Sequence, residues 1–526
     1  MQLVERRSHA MPLHRFAVPA LAFIEGASVL GLEIVAGQLL APAFGDSVFK
    51  WLWVLITTMV GLTVGYSAAA RFNRRTVRVS IPALLLLGGL CYEAAIPLWF
   101  DRVLEGLIAI PGHLPIAAAS ACVVLVPMVL FGMVPGLLVA LNAEAEPQLA
   151  PRAGAVFAAS TVGGLVAGLI TGVGLIPLLG VTLAVRSSTG VLIVLLTIVQ
   201  WRAGVRRAAL VATGVWCAFF FWPQGDRQTG HRQKLLDYEE GILGQIAVVE
   251  RPVSQAATQR TLYVNRMAQS VYTQGVHGSR NAVFSYVKDS LPVLASYPKR
   301  ADALLLGLGG ATVVRMMREL EFNVTAVELD RRIIEVAQRY FDAPRDVNYV
   351  LDDARRFIRR SESSFDIIFY DAYRGEYPPT HLITVESLRE LQHALRPKGV
   401  VLINVAGRVD APDSETVRSM VKTFRAAGMR CRVVRGQPSE NALLIADRGE
   451  REYGVSAGAD SAEVPGGDMR LVFFDDSALS YEKAHIFTDD RPILEALYRA
   501  DAQKFRSRIN SAYSDPRNRD TVPLYR

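Results

Sequence analysis

Four cysteines in 526 residues are too few for a disulfide framework. Cys91, Cys122 and Cys217 lie in apolar runs and Cys431 stands alone in the second half. No CxxC and no Cys/His spacing suggests zinc, so these are read as small buried apolar side chains and no metal is expected. Charge is scarce as well. Only 20% of residues are Asp, Glu, Lys or Arg, against 51% hydrophobic, and the mean hydropathy is +0.24. Such averages exclude a disordered chain and do not suit an ordinary soluble one. The scarcity is local. Residues 1–222 hold 14 Lys+Arg and 9 Asp+Glu, while residues 223–526 hold 43 and 41, a normal density for a globular domain. The chain is therefore two objects. Most of the net charge of +7 belongs to loop arginines of the apolar half, which makes a nucleic-acid surface a poor explanation and excludes that partner.

In the apolar half, residues 1–222, seven stretches have the length and composition of membrane spans: 17–40, 49–69, 80–100, 114–141, 155–178, 181–201 and 206–222. Only the first could be a signal peptide, and the spans that follow argue against cleavage. Pro127, Pro135 and Pro177 lie in or at the ends of spans, where neighbouring helices can satisfy freed carbonyls. Gly163, Gly164, Gly168, Gly172 and Gly174 let helices approach closely. Three acids, Glu25, Glu33 and Glu93, sit inside apolar runs. At membrane depth each needs a partner, a cavity or an interface. A polar cavity between helices is one reading; a hydrogen-bonded carboxyl, or a place near the headgroups, is the blander and favoured one.

The basic residues conflict with this span count. Arg6, Arg7 and Arg15, then Arg71, Arg74, Arg75 and Arg78, then Arg202, Arg206 and Arg207 share one side of a seven-span bundle. The positive-inside rule makes that side cytoplasmic and puts the second half opposite. The chemistry below needs a cytoplasmic nucleotide-like ligand. The expectation is therefore a multi-pass cell-membrane protein with its second half cytoplasmic and one segment, the first or the short seventh, miscounted.

A polar linker, 223–236, leads to short alternating runs at Gly244–Glu250, Arg260–Val264 and Ser270–Thr273, read as a small antiparallel sheet. With a helix over Ala282–Ala295 they make a unit spanning 237–300. Over 301–500 the pattern changes. Ala303–Leu306, Asn323–Val327, Val347–Leu351, Phe365–Tyr370 and Gly399–Val405 alternate with helical stretches such as Thr312–Leu320, which predicts a doubly wound, Rossmann-like parallel sheet. The fold class is thus an α-helical membrane bundle plus α/β. Residues 501–526 are polar and basic and read as a flexible or surface-bound tail.

Ligands of such sheets bind beyond the carboxyl ends of the strands, and the acids cluster there. Gly307, Gly309 and Gly310 follow the first core strand and let a ligand approach the backbone and a helix N-terminus. Glu328 lies 21 residues after Gly307 at the tip of the second strand, where an acid can accept both hydroxyls of a ribose. Asp352 and Asp353 end the third strand, and Asp353 can accept the amino group of adenine. Asp371 ends the fourth and can accept a proton from an incoming nucleophile. His381, after Pro378 and Pro379, can enter the site, although a loop histidine is more often solvated. Asp489 and Asp490 suit a contact with the crevice or the membrane half and a helix start equally well.

These residues resemble the spermidine synthases, aminopropyltransferase relatives of the adenosylmethionine-dependent methyltransferases, over roughly 237–447. Asn265–Gln269 (NRMAQ) stands where that family has a DGxxQ turn. The whole chain is similar to membrane-fused spermidine synthase-like proteins, with GLEIVAGQLLAPAFG (Gly31–Gly45) and FTDDRP (Phe487–Pro492) as marks of that subgroup. The resemblance implies that Glu328 holds ribose, Asp353 adenine, that Gln269 lines the cofactor cleft, and that Asp371 orients and deprotonates an amine attacking the carbon beside a sulfonium. It implies decarboxylated S-adenosylmethionine as co-substrate, no metal, and polyamine biosynthesis as the setting.

Three departures bear on specificity. Gly310 stands where the family's GGGDG has its Asp, so intact S-adenosylmethionine becomes an alternative. Asp371-Ala372-Tyr373-Arg374-Gly375-Glu376 replaces DSxDP, and Arg374 should repel putrescine unless Glu376 compensates. Phe284-Ser285 replaces the family's Tyr-His or Tyr-Gln pair, with Tyr286 one place later. Tyr286, Tyr373, Arg374, Glu376 and His381 are the acceptor-side candidates. The expectation is a membrane-anchored aminopropyltransferase acting on an amine such as putrescine. Alternatives are a methyltransferase with a membrane-associated acceptor, and a transporter or sensor that binds a nucleoside or polyamine. Membrane lipid is an expected partner, and a homodimer is left open.

Overall fold

The computed structural model describes residues 17–71, 77–95, 104, 106–107, 110, 113–143, 149–202, 206–220, 233–254, 257–276, 284–373, 375–406, 415–434, 441–449, 461–463, 470–473, 480–499, 502 and 506. The apolar half is helical. Helix α1 spans Ala17–Phe44, α2 Val48–Ala69 and α3 Val77–Ala95. Helix α4 runs over Leu114–Ala143 with a π-helical turn at Ala121–Leu125. Helix α5 starts at Leu149 and passes through a second π turn, Ile170–Leu175, into α6, Ile176–Arg202; α7 is the short Arg206–Phe220. Gly180, with φ 79° and ψ 173°, breaks α6 near its start. The expected division between spans 155–178 and 181–201 is thus real but lies inside one continuous rod assignment. Four helices, Val18–Phe44, Val48–Ala69, Leu114–Ala140 and Ala153–Ile198, are long and apolar enough to cross a membrane, and Ala83–Glu93 is a shorter apolar helix.

Small residues set the closest helix contact. A Cβ on Gly26 would lie 1.8 Å from the Ser160 carbonyl oxygen, and one on Gly163 would lie 2.0 Å from that of Phe23, so α1 and α5 touch backbone to backbone. Two of the acids within apolar runs have hydroxyl partners there. Ser160 Oγ donates to Glu25 Oε2 at 2.7 Å, and Thr189 Oγ1 donates to Glu93 Oε2 at 2.6 Å. Glu33 is buried. The blander reading of these acids, hydrogen-bonded carboxyls, describes Glu25 and Glu93.

Strands β1 (Lys234–Glu239), β2 (Ile246–Pro252), β3 (Thr258–Val264) and β4 (Met267–Thr273) form an antiparallel meander in sequence order. β1 begins inside the stretch read as linker, which moves the start of folded structure ahead of residue 237. The core sheet contains β5 (Asp302–Leu306), β6 (Asn323–Glu328), β7 (Asn348–Leu351), β8 (Phe365–Tyr370), β9 (Leu395–Ala406), β10 (Arg430–Val434) and β11 (Asn441–Asp447), in the order β10-β11-β9-β8-β5-β6-β7. β5 to β9 pair in parallel, and β11 runs antiparallel between β9 and β10. This is the methyltransferase form of the doubly wound sheet. Leu304, Leu306, Ile368 and Tyr370 pack on one face; Ala303, Leu305, Ile367 and Phe369 pack on the other. Both faces are buried, which is why these strands read as continuous apolar runs. The order reverses between β5 and β8, so the crevice opens at their carboxyl ends.

The core sheet's half packs on the end of the bundle where α1 stops and α2 starts. Val48 N–H donates to Glu495 Oε1 at 2.8 Å, Gln38 Nε2 to the Ile242 carbonyl at 3.3 Å, and Thr182 N–H to Glu240 Oε2 at 2.7 Å. Arg71, just past the end of α2, and Arg202, at the end of α6, lie roughly 30 Å away at 1.5 Å per helical residue. Arg71 and Arg202 thus lie at the end of the bundle opposite the α/β half. Among the described residues, the short α7 is not one of the helices long and apolar enough to cross a membrane. Arg6, Arg7, Arg15, Arg74 and Arg75 lie outside the described residues.

Candidate active site

A cavity of about 250 Å³ lies at the carboxyl ends of β5, β6 and β8, closed on one side by β4. Gly307 opens it. Its φ of +89° is open to glycine, and a Cβ there would lie 2.5 Å from the Asp371 carbonyl oxygen. The loop after β5 can therefore run directly against the end of β8, and it brings Gly309 into the lining.

Glu328 ends β6 and faces this loop. Its Oε2 accepts the Leu308 N–H at 3.0 Å; its Oε1 accepts those of Leu329 at 2.7 Å and Asp330 at 2.9 Å. Burial pushes its pKa up, and the three N–H donors pull against that shift. The carboxylate is rigidly aimed and keeps an acceptor position on Oε2 for a hydroxyl donor.

Asp371 follows β8 and lines the cavity. Tyr286 Oη donates to its Oδ2 at 2.7 Å and Asn404 Nδ2 to its Oδ1 at 2.7 Å. Asn441 Nδ2 donates in turn to Asn404 Oδ1 at 2.8 Å, which fixes the orientation of the Asn404 amide. Burial pushes the Asp371 carboxyl up to about 6, against the opposing effect of the Asn404 and Tyr286 donors. A carboxylate poised there is ionised at neutral pH yet basic enough to take a proton.

The other expected residues fall as follows. Gln269 lines the cavity, and its Nε2 donates to the Gly375 carbonyl at 3.2 Å. Tyr373 also lines it and donates to the Asn404 carbonyl at 2.9 Å. His381 is a lining residue with Nε2 3.5 Å from Asp353 Oδ2. Asp352 lines the cavity, but Arg356 and Arg360 hold its carboxylate. Asp353 Oδ1 accepts the Arg356 N–H at 2.9 Å and caps the helix Ala354–Arg359, and its Oδ2 is the atom beside His381. Gly310 is tightly packed. Its N–H donates to Ser270 Oγ at 2.8 Å, and a Cβ would lie 2.6 Å from Ser270 Cβ. No larger side chain fits without moving Ser270, so the missing aspartate is built into the packing. Arg374 lies outside the described residues.

Two corrections concern the C-terminal region. Asp489 faces neither the crevice nor the bundle. Arg355 Nη2 sits 2.7 Å from its Oδ2 and Thr384 donates to its Oδ1 at 2.7 Å. The Arg355 guanidinium holds that carboxyl down to about 2. FTDDRP is thus a buckle onto the core sheet, and Phe487 accepts the Val385 N–H at 2.9 Å. The expected flexible tail contains Arg506, which is only 5% exposed. Arg506 pairs with both oxygens of Glu376, and its Nη1 donates to the Asn265 carbonyl at 2.6 Å and the Pro42 carbonyl at 3.3 Å. Glu376 therefore does not stand free toward an acceptor.

Asn404, Asn441 and Ser270 were not anticipated. Asn404 left a trace in the sequence, a lone amide inside the apolar run GVVLINV. Asn441 and Ser270 left none.

Residues 291–432 match the spermine/spermidine synthase domain. The chain is 34% identical over 150 residues to a polyamine aminopropyltransferase of Vibrio vulnificus, covering 27% of this chain and 50% of that protein. It is 29% identical over 143 residues to a probable polyamine aminopropyl transferase of Bifidobacterium longum, covering 26% and 32%. An N-terminal histidine N-methyltransferase of Emericella nidulans is 31% identical over 134 residues, covering 24% of each. The chain thus spans half or less of the length of these relatives. Among solved structures it is similar to a probable spermidine synthase from Corynebacterium glutamicum, with a TM-score of 0.39 and 19% identity over 48% of this chain and 95% of that one.

Proposed function

We propose that the chain is a membrane-anchored transferase of the aminopropyltransferase type. The observation that carries this reading is Asp371, buried and held by Tyr286 and Asn404 in the same cavity as Glu328 and the Gly307–Gly309 turn. Glu328 accepts a ribose hydroxyl of a decarboxylated S-adenosylmethionine, and the segment from Asp352 to Ala354 borders its adenine. Asp371 accepts a proton from the attacking primary amine. The amine lone pair forms the new C–N bond as the C–S bond breaks and its electron pair returns to sulfur. The sulfonium becomes a neutral thioether, so the leaving group needs no protonation. The matched synthase domain and the aminopropyltransferase relatives support this chemistry.

Purified full-length protein, incubated with decarboxylated S-adenosylmethionine and a set of primary amines, is expected to release methylthioadenosine. Release of S-adenosylhomocysteine from intact S-adenosylmethionine and a membrane extract, with no methylthioadenosine in the first assay, would replace aminopropyl transfer by methylation.

The co-substrate is made in the cytoplasm, and this places the cleft on the cytoplasmic side with the Arg71 and Arg202 ends of the bundle outward, against the positive-inside tendency. Fusions after Arg526 are expected to give a fluorescent green fluorescent protein and an inactive alkaline phosphatase. An active phosphatase would place the site outside and remove the supply argument.

A further inference from the structure

Each described acid of the cavity already has protein partners, and this bears on which amine enters. Five described acids line it: Glu328, Asp330, Asp352, Asp371 and Glu376. Three backbone N–H groups hold Glu328. Arg332 Nη2 lies 2.6 Å from Asp330 Oδ2. Asp352 takes Arg356 and Arg360, and Asp371 takes Tyr286 and Asn404. Only Glu376 belongs to the loop that follows Asp371, where an acceptor approaches, and it is 4% exposed with both oxygens on Arg506.

A diamine bound with one nitrogen at Asp371 must bury a second ammonium further along the cleft. A buried cation needs a carboxylate partner. The one acid placed to provide it is already neutralised, and Arg374 adds a further cation to the same loop in sequence. The rest of the acceptor-side lining offers no further acid: it comprises Phe284, Tyr286, Tyr373, Asn404 and Asn441, with His381 as its one other ionisable side chain among the described residues.

We propose that Arg506 is a specificity-determining residue that sets the site for a primary amine with a single cationic head and an uncharged body, and against diamines. The clamp is anchored from the membrane side. Arg506 also grips the Pro42 carbonyl at the end of α1, and a Cβ on Gly45 would lie 2.0 Å from Glu376 Oε1. The GLEIVAGQLLAPAFG segment thus ends directly on the acceptor loop, and the helix bundle holds the selectivity element in place.

The inference rests on the aminopropyl-transfer reading, and the test separates the two. With wild-type protein and decarboxylated S-adenosylmethionine, kcat/KM from methylthioadenosine release is expected to be at least tenfold higher for butylamine than for putrescine. Arg506→Gln releases Glu376 and is expected to raise the putrescine-to-butylamine ratio by tenfold or more. Adding Glu376→Gln is expected to return the ratio to the wild-type value, which a merely structural role for Arg506 would not produce. A wild-type preference for putrescine overturns the proposal even if Arg506→Gln fails to fold. So does an unchanged ratio in a folded Arg506→Gln protein. If no amine is turned over, the transfer reading fails, and amine binding in the presence of methylthioadenosine decides the selectivity. Tighter butylamine binding supports it; equal or tighter putrescine binding, or no binding of either, overturns it.

Discussion

Asp371→Asn is expected to lower kcat by roughly 10²–10⁴-fold, the range of a lost general base, while the dissociation constant for methylthioadenosine changes less than about threefold. The amide keeps the shape of the carboxylate and can still meet Tyr286 and Asn404, but it cannot accept the amine proton. The pH profile provides an independent check. With the Asp371 carboxyl raised to about 6 by burial, kcat/KM is expected to fall as pH drops through that value. Tyr286 donates to the ionised form, so Tyr286→Phe removes a brake on the upward shift. Its acidic limb should move to higher pH while activity near pH 9 is largely kept. An acidic limb that stays in place in Tyr286→Phe would show that Asp371 is not the titrating base.

The same carboxyl affects stability, in the direction opposite to a paired surface acid. Its folded pKa lies above its unfolded value, so folding favours the protonated form. That stabilisation is complete below about pH 4 and is lost as pH rises through about 6. Asp371→Asn removes the dependence. The variant should be more stable than wild type at pH 8, by an amount on the order of 2–3 kcal/mol, and nearly equal to it at about pH 3, below the unfolded pKa. Melting temperatures of the two proteins across that range measure the difference. A more stable but inactive variant is what a residue held for chemistry at the expense of packing predicts.

What could be read from the sequence followed from local physics. Alternation and apolar runs located β2 to β9 within a few residues, because each strand's environment is written in its own side chains. Acids at strand ends located Glu328 and Asp371, because the topology sends every such end to one crevice. What escaped is non-local. Arg506 lies in a polar tail by composition, yet its partners are 130, 241 and 464 residues away, and no window sees that. Asp353 ends a strand and also starts a helix, and its N-cap bond to Arg356 depends on where that helix begins, which the strand pattern alone does not show. The first half of β1 falls within the 223–236 stretch taken as linker, because KLLDYE has only weak alternation and takes its order from pairing with β2. The two acids with known partners inside apolar runs found hydroxyls on distant helices, which hydropathy cannot show.

Glu328→Gln should give the mirror image of Asp371→Asn. The native carboxylate is acceptor-only and satisfies three backbone donors, at Leu308, Leu329 and Asp330, while leaving one acceptor position, on Oε2, for a ribose hydroxyl. A carboxamide offers one accepting oxygen and points an NH2 group at backbone N–H groups, so it repels where the native group binds. Hydrogen bonds to a charged acceptor contribute about 1.5–3 kcal/mol each. Losing that bond weakens binding by roughly 10–10²-fold, which calorimetry with methylthioadenosine can follow. At saturating co-substrate, kcat should fall less than about tenfold, because Asp371 and its donors remain in place. Binding would then be weakened with turnover kept in one variant, and turnover lost with binding kept in the other. That pairing assigns ribose to the tip of β6 and proton transfer to the tip of β8. A Glu328→Gln protein that binds methylthioadenosine as tightly as wild type would instead mean that the acid only braces the glycine turn, and the nucleoside would have to be anchored elsewhere in the cavity.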